Sequence, residues 1–242
     1  MASHVRVANG GWCACSVTRC GAMNATVSLQ IPRANREQNF VRVLFIFDRA
    51  GEPPGADTLA GAYSLMRGQV RLQKLDFWMR NPDYLADELI TEYMKDKSQT
   101  WALETAREIL DSREPAIRRL PMLKWRFGAF EKLDDTLAIM TSRRLVIHQP
   151  QAGRARVYEH LYWLTDAGHD VAEQLLEADD AFRWYANRAD VVARLAGDQG
   201  GAALAQRQYE HPEYGATNPL KTIRSIEDRV LRRLAELDEE AA

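Results

Sequence analysis

Apolar positions recur along this chain first with helical spacing, then in alternation, then with helical spacing again. The segment Asn39–Phe47 fits a strand by its β-branched and aromatic content, or a short buried helix by the polar spacing at Arg42 and Asp48; the helix is the favoured reading. Gly51-Glu52-Pro53-Pro54-Gly55 punctuates the chain as a loop. From Ala60 to Arg80, Leu65, Val70, Leu72, Leu75, Phe77 and Trp78 are dense enough to predict one helix buried over much of its surface. Asn81-Pro82-Asp83 then reads as a stop and a start, with Asn81 as N-cap, Pro82 at N1 and Asp83 favoured by the helix dipole. Leu85, Leu89, Ile90, Tyr93 and Met94 line one face of the helix that follows. Ser98 is expected to cap a third helix through Leu110, with Trp101, Thr105, Ile109 and Leu110 inward, and Ala116 to Trp125 a short fourth. Another helix-like run spans Phe130 to Thr141.

At Ser142 the period changes. Leu145 and Ile147 pair in phase, Pro150-Gln151-Ala152-Gly153 makes a hairpin tip, and residues 157–164 return with both faces largely apolar. Such a strand wants a neighbour on one side and a helix on the other. Thr165 then caps a helix burying Val171, Leu175 and Leu176, and Asp179 to Leu195 forms the next, with Phe182, Tyr185, Ala189 and Val192 on its stripe and Gly197 as its stop. Gly200-Gly201 reads as a hinge. Asn218-Pro219 opens a last amphipathic helix carrying Leu220, Ile223, Val230, Leu231, Leu234 and Leu237. This helix is expected to fold back on its own domain, with a homodimer through it as the alternative.

The expected class is therefore mainly α (α+β), with one hairpin among helices. Three regions follow: residues 1–36 as a disordered leader, 37–177 as the main domain and 178–242 as a C-terminal helical extension. The leader holds Cys13, Cys15 and Cys20, all the cysteines of the chain, and neither Asp nor Glu. Three thiols with only His4 nearby fall short of the four ligands of a closed zinc site, so an incidental tail is the expectation. A body without cysteine points to the cytoplasm.

Charge changes the picture little: 32 Lys and Arg against 34 Asp and Glu give a net charge of −2, so any attraction to polyanions must be local. No apolar run reaches the roughly 18–20 residues of a membrane span, and no membrane role is expected. The chain lacks a phosphate loop, a dinucleotide fingerprint, a zinc-protease helix and a nucleophile elbow, so neither an enzyme nor a cofactor or metal is expected. His148 and His160 face each other across the hairpin as a cross-strand polar pair.

The order helix, strand, wing, strand, helix, with Ser142-Arg143-Arg144-Leu145-Val146 and then Leu164-Thr165-Asp166-Ala167-Gly168, resembles the C-terminal half of the MarR and PadR winged helix-turn-helix families. That likeness, running from Phe130 to Leu176, implies a winged-helix core with one β-hairpin wing flanked by N-terminal and C-terminal helices, and with Phe130–Thr141 as recognition helix. A second likeness covers residues 60 to 165. Val70–Trp78, two helices, Gly128-Ala129-Phe130 and Arg143-Arg144-Leu145-Val146 resemble the layout of the middle component of bacterial ABC three-component systems. It implies a small subunit that accompanies an SMC-like or ABC ATPase in defence against foreign DNA.

Electrostatics ranks the readings. A recognition helix meets base edges and phosphates, yet this one offers Glu131, Asp134 and Asp135 against a single Lys132. Useful DNA affinity needs roughly six to ten phosphate contacts. The supply is Arg118, Arg119, Lys124 and Arg126 upstream, Arg143 and Arg144 before the strand, and Arg154 and Arg156 on the wing, with Lys132 and Thr136 nearest the bases. These same residues form the DNA- or partner-binding set under either reading. An adaptor that docks on a larger protein such as an ATPase subunit ranks first, and a DNA-binding transcriptional regulator is the alternative.

Overall fold

The structure is a computed structural model and describes residues 35–55, 59–125, 128–153 and 157–240. The expected leader, with its three cysteines, lies outside the described residues. Helix α1 (Arg36–Ala50) resolves the strand-or-helix ambiguity. Asn35 starts it with a reciprocal capping box, its side chain accepting from Gln38 N at 2.7 Å while Asn35 N donates to Gln38 Oε1 at 3.3 Å. Val43 to Phe47 are wholly buried, because helices cover this segment on more than one side.

The single helix expected from Ala60 to Arg80 is two elements, strand β1 (Ala62–Arg67) and helix α2 (Gln69–Arg80). Gly68 divides them at φ 78°, a conformation in which residues with a Cβ are strained. Leu65 and Met66 then pair with Trp163 and Tyr162 far along the chain, a contact that local periodicity does not encode. Helix α3 (Pro82–Lys95) begins with Pro82 as expected, but Asn81 does not cap it. Its side-chain amide instead donates to Phe77 O at 2.9 Å, closing α2. Ser98 likewise donates to Asp96 rather than capping, so α4 (Thr100–Asp111) starts one residue later, with Gln99 in the N-cap position.

Between α4 and the hairpin, the short helix expected from Ala116 to Trp125 is replaced by α5 (Glu114–Ile117) and two short strands, β2 (Leu123–Trp125) and β3 (Gly128–Phe130). Pro121 disfavours helix at Leu120. The free edge of β2 is taken by the segment around Leu220: Leu220 N donates to Lys124 O at 2.7 Å and Lys124 N to Lys221 O at 2.9 Å.

Helix α6 (Asp134–Ser142), strands β4 (Val146–Ala152) and β5 (Val157–Thr165) and helix α7 (Asp166–Ala178) follow in the expected order, although α6 begins four residues later than Phe130. The sheet is antiparallel in the order β1-β5-β4, with Ile147 opposite Trp163. Thr165 is the N-cap of α7, accepting from Gly168 N at 3.1 Å, and its hydroxyl contacts Arg144 O and Leu145 O at 2.8 and 3.1 Å. A Cβ on Gly168 would fall 2.5 Å from Leu145 O and from Leu164 Cδ1. Leu-Thr-x-x-Gly is thus a packing motif: it locks the exit of α6 to the start of α7.

Helix α8 (Ala181–Ala196) ends at Gly197 as expected. Gly200 and Gly201 do not form a free hinge; they start α9 (Gly201–Glu210), which lies on α2 so closely that a Cβ on Gly201 would sit 2.7 Å from Arg71 N. After α10 (Pro212–Ala216), the last helix α11 (Glu227–Glu240) begins beyond Asn218-Pro219. Val230, Leu234 and Leu237 are buried with α11 folded back on α3, whereas Leu220 and Leu231 are exposed. Residues from α1 through α11 share one hydrophobic cluster, to which α8, α9, α10 and α11 contribute Val192, Leu204, Tyr214 and Val230. The described part is mainly helical with small antiparallel sheets, an α+β arrangement, and among the described residues no helix is long and apolar enough to cross a membrane.

Candidate functional site

The basic residues singled out above do not form one patch. Lys132, Arg143 and Arg144 are exposed around α6. Arg118 is exposed too, but its guanidinium lies 4.4 Å over the Trp184 ring. Arg119 is half-buried and donates to Ile223 O at 2.7 Å. Two candidates are corrected outright. Lys124 is 6% exposed and Thr136 2%, so neither is presented to an incoming macromolecule. Lys124 Nζ donates to Tyr214 O and Gly215 O, both at 2.8 Å, holding the end of α10; Thr136 sits on the inward face of α6. Arg126, Arg154 and Arg156 lie outside the described residues.

The acidic character of α6 is also partly offset. Glu131 pairs with Arg80 at 2.5 Å, and its backbone is clamped by Gln73, which donates to Glu131 O at 2.7 Å and accepts from Glu131 N at 3.1 Å. This clamp keeps 131 out of the helix. Asp134 and Asp135 remain exposed in the first turn, where the helix dipole favours them.

Much of this geometry originates in α2, where every residue from Arg71 to Arg80 is buried, including Arg71, Gln73, Lys74, Asp76 and Arg80. Asp76 pairs with Arg42 of α1 and lies 3.9 Å from Arg80. Arg71 donates to Gly197 O at 2.9 Å and to Gln199 O, tying down the end of α8. The available signal was charged residues at close intervals in an otherwise apolar helix.

Where α2 meets the β2–β3 hairpin, a half-open cleft of about 290 Å³ lies between Val70, Gln73 and Lys74 on one side and Trp125, Gly128 and Phe130 on the other. Three large apolar side chains at this cleft are unusually open: Val70 is 52% exposed, Trp125 48% and Phe130 43%. The Trp125 and Phe130 rings stand 6.4 Å apart. Gathered exposed apolar groups of this kind mark binding surfaces rather than ordinary solvated faces. Reading residues 116–125 as a helix dispersed these side chains and hid the cleft.

Two further clusters carry chemistry. His148 Nε2 and His160 Nδ1 lie 2.8 Å apart with stacked rings, the expected pair, and burial together with His160 lowers the His148 pKa. Asp48, His169 and Glu173 bring three potential metal donors within 4.8 Å. Arg49 already supplies a positive charge there, at 3.0 Å from Asp48 and 3.2 Å from Glu173, so a cation of the protein's own already bridges the two carboxylates. Comparison with family models, curated proteins and solved structures finds no match to this chain.

Proposed function

We propose that this chain is a winged-helix accessory subunit that docks on a larger protein, an SMC-like or ABC ATPase of a bacterial defence system. The observation that carries the docking reading is the apolar cleft rimmed by Val70, Trp125 and Phe130 beside α6. Aromatic residues around a recess are the usual anchors of protein interfaces, and they contribute nothing to phosphate binding. Support for a winged-helix core comes from the order α6, β4, β5, α7 and from the third strand β1 on the far edge of β5. One departure stands: the element directly before α6 is the β2–β3 hairpin, so a helix-turn-helix must take an earlier helix as its first member.

The acidic start of α6 supports protein over DNA: Asp134 and Asp135 are exposed in its first turn, where a groove would bring phosphates. Of the seven candidate contacts among the described residues, Lys124 and Thr136 are buried, while Arg118, Lys132, Arg143 and Arg144 are exposed. Affinity capture of ATPases from host cells, compared between the wild type and a Trp125→Ser/Phe130→Ser variant, tests the reading. A P-loop ATPase retained by the wild type and lost by the variant is expected. Equal retention by both, or no ATPase at all, overturns it. Salt-resistant, sequence-specific retention of the gene's own upstream DNA in a gel shift favours a MarR- or PadR-like regulator instead.

A further inference from the structure

Lys74 is 2% exposed and reaches the cleft between α2 and the β2–β3 hairpin, yet its ammonium has no ion-pair or hydrogen-bond partner among the described residues. A buried charge without a partner is costly, and proteins seldom retain one without use. Burial alone pulls its pKa down to about 8. Lys74 Nζ lies close against the hairpin, where a Cβ on Gly128 would fall 2.7 Å from it. An apolar recess therefore ends in a single buried cation, the complement of an anion attached to an apolar body.

We infer that the cleft receives the C-terminal residue of a partner chain, an apolar side chain seated between Val70, Trp125 and Phe130 with its terminal carboxylate on Lys74 Nζ. The terminus is favoured over an internal Asp or Glu because only there do a carboxylate and an apolar side chain share one residue without dragging a polar backbone through the cleft. Its volume of about 290 Å³ suits one such residue. This inference rests on the docking reading above and names what docks.

Spectra resolved at the Trp125 indole and the Gly128 and Ala129 amides test it with N-acetyl-leucine, N-acetyl-leucinamide and the tripeptide acetyl-Ala-Ala-Leu. Saturable shifts are expected with the acid and the tripeptide, and affinity for the amide lower by roughly 10-fold or more, the worth of a charged hydrogen bond. Lys74→Met, which keeps a long unbranched side chain, should bind acid and amide alike. The inference is overturned by equal binding of acid and amide to the wild type, or by absence of saturable shifts. Binding of the free acid with exclusion of the tripeptide overturns it as well, marking a pocket for small carboxylates. These outcomes are separable from failure of the docking reading: capture of an ATPase that depends on Trp125 and Phe130 but not on Lys74 leaves docking standing and removes the terminal carboxylate.

Discussion

His211 and Lys74 are bases of comparable burial, 7% and 2% exposed, and the protein treats them in opposite ways. Around His211, four cations face four carboxylates. Its ring nitrogens each lie 3.0 Å from Asp87 and Glu88; Arg207 reaches Glu88 and Glu92; Arg229 reaches Asp87 and Glu213; Arg233 reaches Asp87. Burial alone would lower the imidazole pKa, but the bonds to Asp87 and Glu88 outweigh it and raise it to about 9. Burial would raise the Asp87 pKa, but the bonds from His211 and Arg233 and the charge of Arg229 outweigh it and hold it at about 2. Lys74 has burial without compensation. The first arrangement staples α3 to α9, α10 and α11; the second weakens the fold and so points to binding. Charge burial alone therefore does not distinguish structure from function, whereas the presence of a counter-ion does.

Removing a counter-ion from the first region should hurt most. Glu88→Ala leaves Arg207 and His211 facing a gap, and breaking a buried pair from one side costs roughly 3–5 kcal/mol. Urea unfolding at neutral pH is the measurement; a loss under about 1 kcal/mol, the range of exposed pairs, would show that the lattice is solvated and the contrast false.

Opposite pH dependences should sharpen the comparison further. Because His211 has a folded pKa of about 9 against an unfolded value near 6.5, its pairing contributes fully below pH 6.5 and is lost as pH rises to 9. Lys74 has a folded pKa of about 8 against 10.5, so its penalty is fully present below pH 8 and relieved as pH rises to 10.5. Each window spans on the order of 3 kcal/mol, the free energy of the corresponding proton shift. His211→Gln should remove the falling limb of stability against pH, and Lys74→Met the rising one. Lys74→Met should also stabilise the protein at neutral pH by about 1–3 kcal/mol, as expected when a binding group is exchanged for a packing one. Destabilisation by Lys74→Met would assign Lys74 a structural partner.

How far the sequence revealed these features follows from chain separation. Asn39–Phe47, Pro82, the Thr165 cap and the Gly197 stop were legible because the residues that decide them lie within a turn or two. Strand β1 was not, since Leu65 needs Trp163 almost a hundred positions later, and an apolar run of that length suits helix and strand alike. Strand β2 was missed for the same reason: its outer partner is the segment at 220–221. Arg143 and Arg144 could be singled out by charge, but Lys74 looked like any lysine on a helix. Only the folded chain shows that the lattice of α3 lies out of its reach and that Trp125 and Phe130 stand around it.

The smallest expected effect concerns Arg144, which is exposed and carries a charge without a buried partner. Helix α6 closes with Arg144 N donating to Thr141 O at 3.0 Å and Leu145 N to Met140 O at 2.9 Å, a Schellman arrangement that places Arg144 at φ 59°. Glycine is the residue of least strain at that position, and an arginine there costs roughly 1 kcal/mol, partly regained through the lower entropy of its unfolded chain. Arg144→Gly should therefore raise stability by no more than about 1 kcal/mol, while deleting a cation beside α6. If docking runs through the Trp125–Phe130 cleft, ATPase capture by Arg144→Gly should match the wild type. A large loss of capture at undiminished stability would move the interface from the cleft to the exit of α6, because with the fold intact only the missing charge is left to account for it.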